Sequence, residues 1–203
     1  MSYPSVKILG ERSGNLLSVK NSLNRIGIRS EYIPEVECLS NGDTLILPGM
    51  RNSYEYISNI PDLFNIKEKL KSGKLSKVIG ICAGFQILTK NITESGKSFE
   101  GLGILNANTA PISPLKHSNN GWLRSPEVSA YIRNFGISEK SLLGLYFNHS
   151  CGVVGYDKTE LGYTYLKNFE YAISYHGAKI HGLQFHPEKS GRIGLDLLRK
   201  ILL

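Results

Sequence analysis

The apolar positions in the first half of the chain form short continuous runs. Residues 44–47 and 78–81 are such runs, and residues 5–9 and 31–33 are further strand candidates that each include a charged residue. A continuous apolar run of this length is typical of a strand that is buried on both faces, as in a parallel sheet. The pattern therefore predicts four strands before residue 82.

Between these runs the apolar residues recur at helical spacing. One helix is predicted from residue 14 to Gly27, since glycine commonly ends a helix, and a second is predicted to end at Ser72-Gly73. The apolar faces consist of Leu16, Val19, Leu23 and Ile26 in the first helix and of Leu63, Phe64, Ile66 and Leu70 in the second. Strands that alternate with helices predict right-handed crossovers and a mostly parallel sheet.

The second half is richer in short β-type segments separated by turn residues. Strands are predicted at residues 102–105, 142–147, 162–166, 170–175 and 179–185, and a final helix is predicted over residues 191–203. These segments predict an antiparallel or mixed extension of the central sheet, with fewer helices. No linker or internal repeat divides the sequence, so we expect one α/β domain over residues 1–203.

One stretch that reads as strand, turn and helix, residues 77–88, carries the first candidate for chemistry. Cys82 follows the apolar strand, and Gly80 and Gly84 lie two positions away on either side. Small flanking residues allow the tight turn that holds a nucleophile above a sheet edge, and a helix that begins at Ala83 would favour the thiolate. Because parallel strands end at the same edge, residues 10–14 and Pro48-Gly49 are expected beside Cys82.

Composition and charge exclude several classes of protein. The chain is 41% hydrophobic and 20% charged, no apolar run reaches about 18 residues, and the first residues lack the apolar core of a signal peptide, which predicts a cytoplasmic protein that does not span a membrane. The formal charge is +7, but the lysines and arginines are scattered, which argues against a nucleic-acid site. Cys38, Cys82 and Cys151 lack the spacing of a disulfide framework or a zinc knuckle.

A thiol nucleophile needs a base, and the chain offers five histidines: His117, His149, His176, His181 and His186. His186 differs from the others because Glu188 follows it by two residues, with Pro187 between them. In an extended segment, residues two apart point to the same side, and the proline keeps the segment out of helical geometry. Glu188 is therefore expected to orient His186, and His186 to take the proton of Cys82.

Each of these signals has a plainer alternative. A lone cysteine after a strand is most often a small core residue, and a His-x-Glu pair is most often a surface arrangement. The pair also resembles that of zinc deaminases, but their Pro-Cys-x-x-Cys is absent. His176, His181 and His186 are five residues apart, which fits neither helical nor extended ligand spacing, so no metal is expected. The signals are strong only in combination.

The segments GICAGFQIL and QFHPEKSG together resemble the class I glutamine amidotransferases. The more particular resemblance is to the glutaminase subunit of imidazole glycerol phosphate synthase. It runs over nearly the whole chain, in the family's order, through LILPGM, NNGWLR, LYFNHS and the closing GLDLLRKIL. The resemblance implies a flavodoxin-like α/β fold and a glutaminase that forms a thioester intermediate and needs no cofactor.

The resemblance also assigns roles at the site. Cys82 would attack the side-chain amide of glutamine, His186 would protonate the departing ammonia and activate the hydrolytic water, and Glu188 would orient His186. Substrate contacts and the oxyanion donors would come from Gly49, Met50, Ala83, Gln86, His149 and Ser150. By this match His149 lies in the substrate wall and is not the base.

A partner is implied as well. In the family the ammonia passes to a (β/α)8-barrel synthase (cyclase) subunit of a heterodimer in histidine biosynthesis, a lyase step. Asn15, Trp122 and Lys189 match positions that the family places near this interface. The alternative for Trp122 is a plain core tryptophan.

The sequence departs from the family pattern at the oxyanion strand, which reads Pro48-Gly49-Met50-Arg51 where the family has Pro-Gly-Val-Gly. The segment before Trp122 differs too. Three hypotheses stay open: the histidine-pathway glutaminase, a paralogue that supplies ammonia to a surface-polysaccharide sugar, and a non-catalytic regulatory subunit. The departures are the argument for the second hypothesis.

Against the third hypothesis stands the intact set of Cys82, His186 and Glu188. A stand-alone thiol hydrolase is a fourth reading, and the segments of partner type disfavour it. The sequence thus predicts the thiol chemistry more closely than it predicts the acceptor of the ammonia.

Overall fold

The structure is a computed structural model that describes residues 5–10, 14–112, 119–137, 144–159, 162–165 and 171–203 of the 203-residue chain. Its helices are α1 Gly14–Arg25, α2 Ser53–Asn59, α3 Asn65–Lys71, α4 Ala83–Gln86, α5 Pro126–Asn134 and α6 Gly191–Leu202. Its strands are β1 Val6–Leu9, β2 Ser30–Ile33, β3 Thr44–Leu47, β4 Lys77–Ile81, β5 Asn91–Glu94, β6 Lys97–Glu100, β7 Asn108–Pro111, β8 Asn119–Leu123, β9 Leu145–His149, β10 Cys151–Val154, β11 Tyr163–Tyr165, β12 Ala172–His176 and β13 Ile180–Leu183.

Eleven of the described strands form one mixed sheet, in the order β2-β1-β3-β4-β13-β12-β10-β7-β5-β6, with β11 also paired to β12. The pairs from β2 to β13 are parallel, as is β5 with β7, and the other pairs of this sheet are antiparallel. The strands β8 and β9 form a separate antiparallel hairpin. The mostly parallel sheet with a mixed extension is thus confirmed.

The strand β13 is the element that brings the two halves of the sequence together. It lies between β4 and β12, with Leu183 opposite Ile81 and His181 opposite Ile79. The residues that follow β4 and β13 therefore leave the sheet side by side at its carboxyl edge. This is the edge at which open α/β sheets bind their ligands.

The buried strands divide their side chains between two cores, because successive residues of a strand point to opposite faces. Ile8 and Ile46 pack on one face in a cluster with Leu16, whereas Leu9 and Leu47 pack on the other face. The first cluster takes apolar residues of α1, α5 and α6, and the second takes those of α2 and α3. Helices cover both faces, which explains the continuous apolar runs of β3 and β4.

One predicted strand is wrong. Residues 102–105 form no strand, because their backbone N–H groups turn back to the carbonyls that follow the short helix α4. Leu102 donates to Ile87 at 2.8 Å, and Ile104 and Leu105 both donate to Leu88, at 2.9 and 2.8 Å. These bonds satisfy carbonyls that a helix end leaves without a partner.

Several elements lie outside what the apolar pattern predicted. Among the described residues these are the helices α2 and α5 and the strands β5, β6, β7, β8 and β10. Some residues named in the predictions lie outside the described part of the chain: His117 and, in the predicted strands, residues 142–143, 166 and 170. Within the part that the structure describes, no helix is both long and apolar enough to cross a membrane.

A partly buried chain of three polar side chains joins α5 to the β12–β13 hairpin. The Tyr131 hydroxyl lies 2.8 Å from His176 Nε2, and His176 Nδ1 lies 2.9 Å from His181 Nδ1. Burial and the neighbouring His181 lower the pKa of His176 to about 3, and burial and the charge of Lys77 lower the pKa of His181 to about 4. Both imidazoles are therefore neutral at pH 7, and only one proton occupies the gap between them.

This pair predicts a loss of stability in acid. Both pKa values are lower in the folded chain than the ordinary value near 6.5, so the stabilisation is complete above about pH 6.5 and is lost as the pH falls towards 4. We expect the urea midpoint to drop more between pH 7.5 and 5 in the unsubstituted chain than in the variant His176→Gln/His181→Gln. Equal drops would show that the pair does not titrate on unfolding.

Candidate active site

Cys82 occupies the turn between β4 and α4 in a backbone conformation that few residues adopt. Its φ is +52° and its ψ is −110°, and its N–H donates to Leu183 of β13 at 2.7 Å. A non-glycine residue at such a φ costs about 1–3 kcal/mol and persists only where the surroundings enforce it. The conformation is that of a nucleophile elbow, which presents the sulfur at the sheet edge.

Two close backbone approaches enforce this turn. A Cβ atom at Gly84 would lie 2.0 Å from the Leu47 carbonyl oxygen, and one at Gly80 would lie 2.5 Å from the Gly84 carbonyl oxygen. Any side chain at either position would push α4 away from β3 and β4. The spacing of glycines around Cys82, noted in the sequence, is therefore a packing requirement.

His186 and Glu188 lie together, although not in the extended segment that the sequence suggested. Pro187–Lys189 forms a 3₁₀ turn, and within it Glu188 Oε1 accepts a hydrogen bond from His186 Nδ1 at 2.7 Å. The Glu188 side chain is 0% exposed. Since Nδ1 is engaged by the carboxylate, Nε2 is the nitrogen left for Cys82.

The hydroxyl of Ser190 holds this histidine in place. It donates to the His186 carbonyl at 2.7 Å and accepts from the Tyr146 N–H at 3.0 Å, while the His186 N–H donates to the Tyr146 carbonyl at 2.8 Å. These three bonds tie the turn after β13 to β9. The backbone of His186 is thereby fixed by groups outside its own segment.

The pKa of His186 is raised, whereas the pKa values of the other described histidines are lowered. Burial lowers its pKa, but the hydrogen bonds to Cys82 and Glu188 and the negative charges of these groups raise it, with a net pKa of about 10. An imidazolium at this position stabilises negative charge on the sulfur of Cys82.

His149, the rival base, lies in a different environment. Its Nδ1–H donates to the Cys151 carbonyl at 2.8 Å, and among the described residues its Nε2 has no partner. Burial and the charge of His186 lower its pKa, against the effect of the Cys151 bond, to about 4. His149 is thus neutral and turned towards the wall formed by β9 and β10, where Ser150 follows it with an exposed side chain.

The loop after β3 packs directly on the candidate pair. A Cβ atom at Gly49 would lie 2.7 Å from His186 Cε1 and 3.4 Å from Cys82 Cβ. The carbonyl of Gly49 accepts from Asn15 Nδ2 at 3.2 Å, whereas Met50 packs against the second core cluster. Asn15, predicted at a partner interface, thus contacts the predicted oxyanion loop.

Gln86 lies under the same site with its amide group engaged by the protein. Its Oε1 accepts from the Ser53 hydroxyl at 3.0 Å, and its Nε2 donates to the Cys151 carbonyl at 2.6 Å. Ala83, the residue after the nucleophile, is buried beside it. That Gln86 and Ala83 contact the substrate stays a prediction.

Glu94, a partly buried carboxylate at the end of β5, is not among the site residues predicted from the sequence. Its Oε2 accepts from the Ser53 N–H at 2.9 Å, beside the hydroxyl that holds Gln86. Burial raises its pKa, against the effect of bonds from the Ser53 and Tyr54 N–H groups. No pattern in the sequence could have marked this glutamate, because only the crossing of β5 over the start of α2 brings it here.

Trp122 and Lys189, two of the predicted interface residues, lie together at the mouth of the site. Trp122 is 45% exposed and packs edge-on against Tyr146, with ring centroids 5.8 Å apart. Lys189 Nζ lies 5.9 Å from the same ring, which is itself 6.4 Å from the His186 ring. Trp122 is therefore not a core tryptophan. Asn15, the third predicted interface residue, contacts the Gly49 carbonyl and not this group of rings.

Comparison with known proteins identifies the family of this chain. Residues 16–127, a span that includes Cys82 but ends before His186, match the CobB/CobQ-like glutamine amidotransferase domain. The chain is 30% identical over 205 residues, 97% of its length and 98% of the relative's, to the protein named imidazole glycerol phosphate synthase subunit HisH 2 of Methanococcus maripaludis. It is 33% identical over 194 residues to subunit HisH of Methanopyrus kandleri, covering 93% of this chain and 92% of that one.

Solved structures support the fold alone. One described as a glutamine amidotransferase matches with a TM-score of 0.66 at 21% identity, over 98% of this chain and 97% of that one. The structure of PurLQS from Thermotoga maritima matches with a TM-score of 0.70 at 19% identity, over 99% and 98% of the two chains.

The His186–Glu188 contact predicts a measurable shift. In Glu188→Gln the imidazolium loses its carboxylate, so the pKa of His186 is expected to fall by about one unit or more. An NMR titration of the His186 Cε1–H measures it, with Glu94→Gln as the matched control because that carboxylate bonds to backbone groups of α2. An unchanged His186 titration in Glu188→Gln would refute the charge pairing.

Proposed function

This chain belongs to the class I glutamine amidotransferases, and from that basis we propose that it is the glutaminase subunit of a two-subunit enzyme. It hydrolyses glutamine to glutamate and ammonia, and the ammonia passes to a (β/α)8-barrel synthase subunit in a cytoplasmic heterodimer. The whole chain, residues 1–203, acts as one glutaminase domain. The observation that carries the proposal is the sulfur of a strained elbow next to an imidazole held 2.7 Å from a fully buried carboxylate.

The reaction begins with the thiolate of Cys82, whose proton resides on His186. The sulfur attacks the side-chain carbonyl carbon of glutamine, and the oxyanion is bound by backbone N–H groups after Cys82, at Ala83, and after Gly49, at Met50. The carbon–nitrogen bond then breaks as His186 transfers its proton to the leaving ammonia. The product of this half-reaction is a thioester on Cys82.

The second half-reaction restores the enzyme. His186, now neutral, takes a proton from water as the water attacks the thioester, and the carbon–sulfur bond breaks to give glutamate and the thiolate. Glu188 keeps the same imidazole nitrogen bonded throughout, so that the opposite nitrogen performs both transfers. The raised pKa of His186 suits this role because the imidazolium is present when ammonia leaves.

The substrate is recognised by the wall around the sulfur. His149 and Ser150 line one side, and Gln86 braces the Cys151 carbonyl behind them. Glu94, a partly buried carboxyl group that is bonded to the Ser53 N–H, receives the α-ammonium group of glutamine, and the positive charge of that group favours the carboxylate form. This contact favours a free amino acid over a peptide-bound glutamine, whose nitrogen is neutral.

The acceptor of the ammonia is a histidine precursor, in line with the names of the relatives at 30–33% identity. The alternative acceptor, a sugar of a surface polysaccharide, rests on Arg51, an exposed cation at the oxyanion loop where the family pattern has glycine. A coupled assay separates the two. Formation of imidazole glycerol phosphate by the complex with its barrel partner supports the first, and glutamate release without that product supports the second.

Cys82→Ala is expected to abolish glutamate release from glutamine. Because the proposed reaction passes through a thioester, the loss should be at least about a thousandfold in the complex with the partner. Cys38→Ala, which removes an exposed cysteine, is the matched control and should keep the unsubstituted rate. Full glutaminase activity in Cys82→Ala would rule out the mechanism.

Trp122→Ala is expected to weaken association with the barrel partner about thirtyfold, since exposed tryptophans at an interface often contribute 2 kcal/mol or more. The measurement is calorimetric titration with the purified synthase subunit. Phe64→Ala is the control, because Phe64 is 48% exposed but precedes α3 on the other face of the sheet. Equal affinities of the two variants would remove Trp122 from the interface.

A further inference from the structure

Gln184 is a buried polar residue beside the sulfur and lies outside the set of Cys82, His186 and Glu188. It follows β13 directly, is 0% exposed, and its backbone N–H donates to Ile173 at 2.9 Å. Its side-chain Nε2 lies 3.8 Å from Cys82 Sγ, and its Oε1 lies 3.4 Å from Gln86 Nε2. A buried amide between a nucleophile and a second amide calls for a chemical account.

The orientation of this amide follows from its neighbours. The Cys151 carbonyl can only accept, so the group of Gln86 that faces it at 2.6 Å is the nitrogen, and the Gln86 oxygen accepts from the Ser53 hydroxyl. The second N–H of Gln86 then requires an acceptor, which is the oxygen of Gln184. The nitrogen of Gln184 is left facing the sulfur. The Cys151 carbonyl therefore determines the orientation of both side-chain amides between Ser53 and Cys82.

We propose that Gln184 is a catalytic residue of the glutaminase, whose amide N–H donates a hydrogen bond to the thiolate of Cys82, with Gln86 as the positioning residue that turns the amide towards the sulfur. This inference rests on the proposed function for the identity of the nucleophile. It adds a third group, next to His186 and Glu188, that acts on the same charge.

The need for such a donor follows from the change of the sulfur during the reaction. As a thiol, Cys82 donates to the Asn148 carbonyl at 3.6 Å. As a thiolate it can only accept, and in a buried site a charge-assisted hydrogen bond replaces the water that would otherwise solvate it. Gln184 supplies that bond from the side of the sheet, while His186 faces the sulfur from the turn after β13.

The same donor serves the second half-reaction. When water attacks the thioester and the carbon–sulfur bond breaks, the electron pair of that bond returns to sulfur. The Gln184 N–H then donates a hydrogen bond to the negatively charged sulfur, and the proton released by water goes to His186. The donor therefore lowers the free energy of the thiolate both as the resting nucleophile and as the leaving group.

The test is the pH dependence of Cys82 alkylation by iodoacetamide, which reports the thiolate and not turnover. It is made in the Cys38→Ser background with peptide mapping, since Cys38 is exposed, and Cys151 is silent below pH 9 because burial raises its pKa to about 11. The other titratable groups near the sulfur are His186, with Glu188 behind it, His149 and Cys151. All of these stay unchanged between the variants.

Gln184→Met keeps the length of the side chain and removes the donor. We expect its alkylation midpoint to move up by about one pH unit or more, and kcat for glutamine to fall with little change in KM. Gln86→Leu should move the midpoint in the same direction by less. Ser174→Ala, a buried polar residue paired with Leu183 on the neighbouring strand, is the matched control and should leave the midpoint in place.

An alkylation midpoint in Gln184→Met equal to that of the parent chain would overturn the proposal, whatever the activity. Gln184→Leu, which also removes the donor and adds no charge, gives the same comparison if Gln184→Met does not fold, and it too must raise the midpoint. A raised midpoint in a chain whose parent releases no glutamate with its partner would refute the proposed glutaminase and leave the Gln184–Cys82 bond standing.

Discussion

The contact on which the rest of this structure depends is the approach of Gly84 to the Leu47 carbonyl. It brings the first turn of α4 against the end of β3 so closely that no side chain fits, and this forces Cys82 into a left-handed φ at the end of β4. The same crowding recurs behind the turn, where a Cβ atom at Gly182 of β13 would lie 2.0 Å from the Phe85 ring. The position of the sulfur is therefore set by backbone packing from three adjacent strands, and the side chains around it are arranged on that fixed point.

Around the sulfur, the groups that contact each histidine determine its protonation state more than burial does. His149 and His186 are both buried, but their pKa values lie on opposite sides of the ordinary one. The difference is that His186 faces a carboxylate and a thiol, whereas His149 faces a backbone carbonyl and the positive charge of His186 itself. A buried imidazole without an anionic neighbour stays neutral, so the site holds one cation next to the sulfur and not two.

The parallel half of the fold was predictable because β3 and β4 are apolar on both faces and their helices carry clear stripes. The pattern failed at residues 102–105, where apolar residues serve to cover a helix end, and at α2 and α5, which are short and begin with polar caps at Asn52 and Ser125. The Cys82, His186 and Glu188 positions could be proposed from spacing and resemblance. Glu94 and Gln184 could not, because what marks a buried polar residue is the partner that the fold brings to it, and these partners lie 41 and 102 residues away in the chain.

The place of β13 in the sheet has a consequence for synthesis on the ribosome. The nucleophile turn is made from residues near position 82, but β13, which pairs with both β4 and β12, is the last strand of the described chain to be translated. Until it emerges, one edge of β4 lacks its neighbour and exposes backbone groups that attract other strands. The same insertion delivers His186, so a nascent chain carries its thiol for about half of its translation without the base that would activate it.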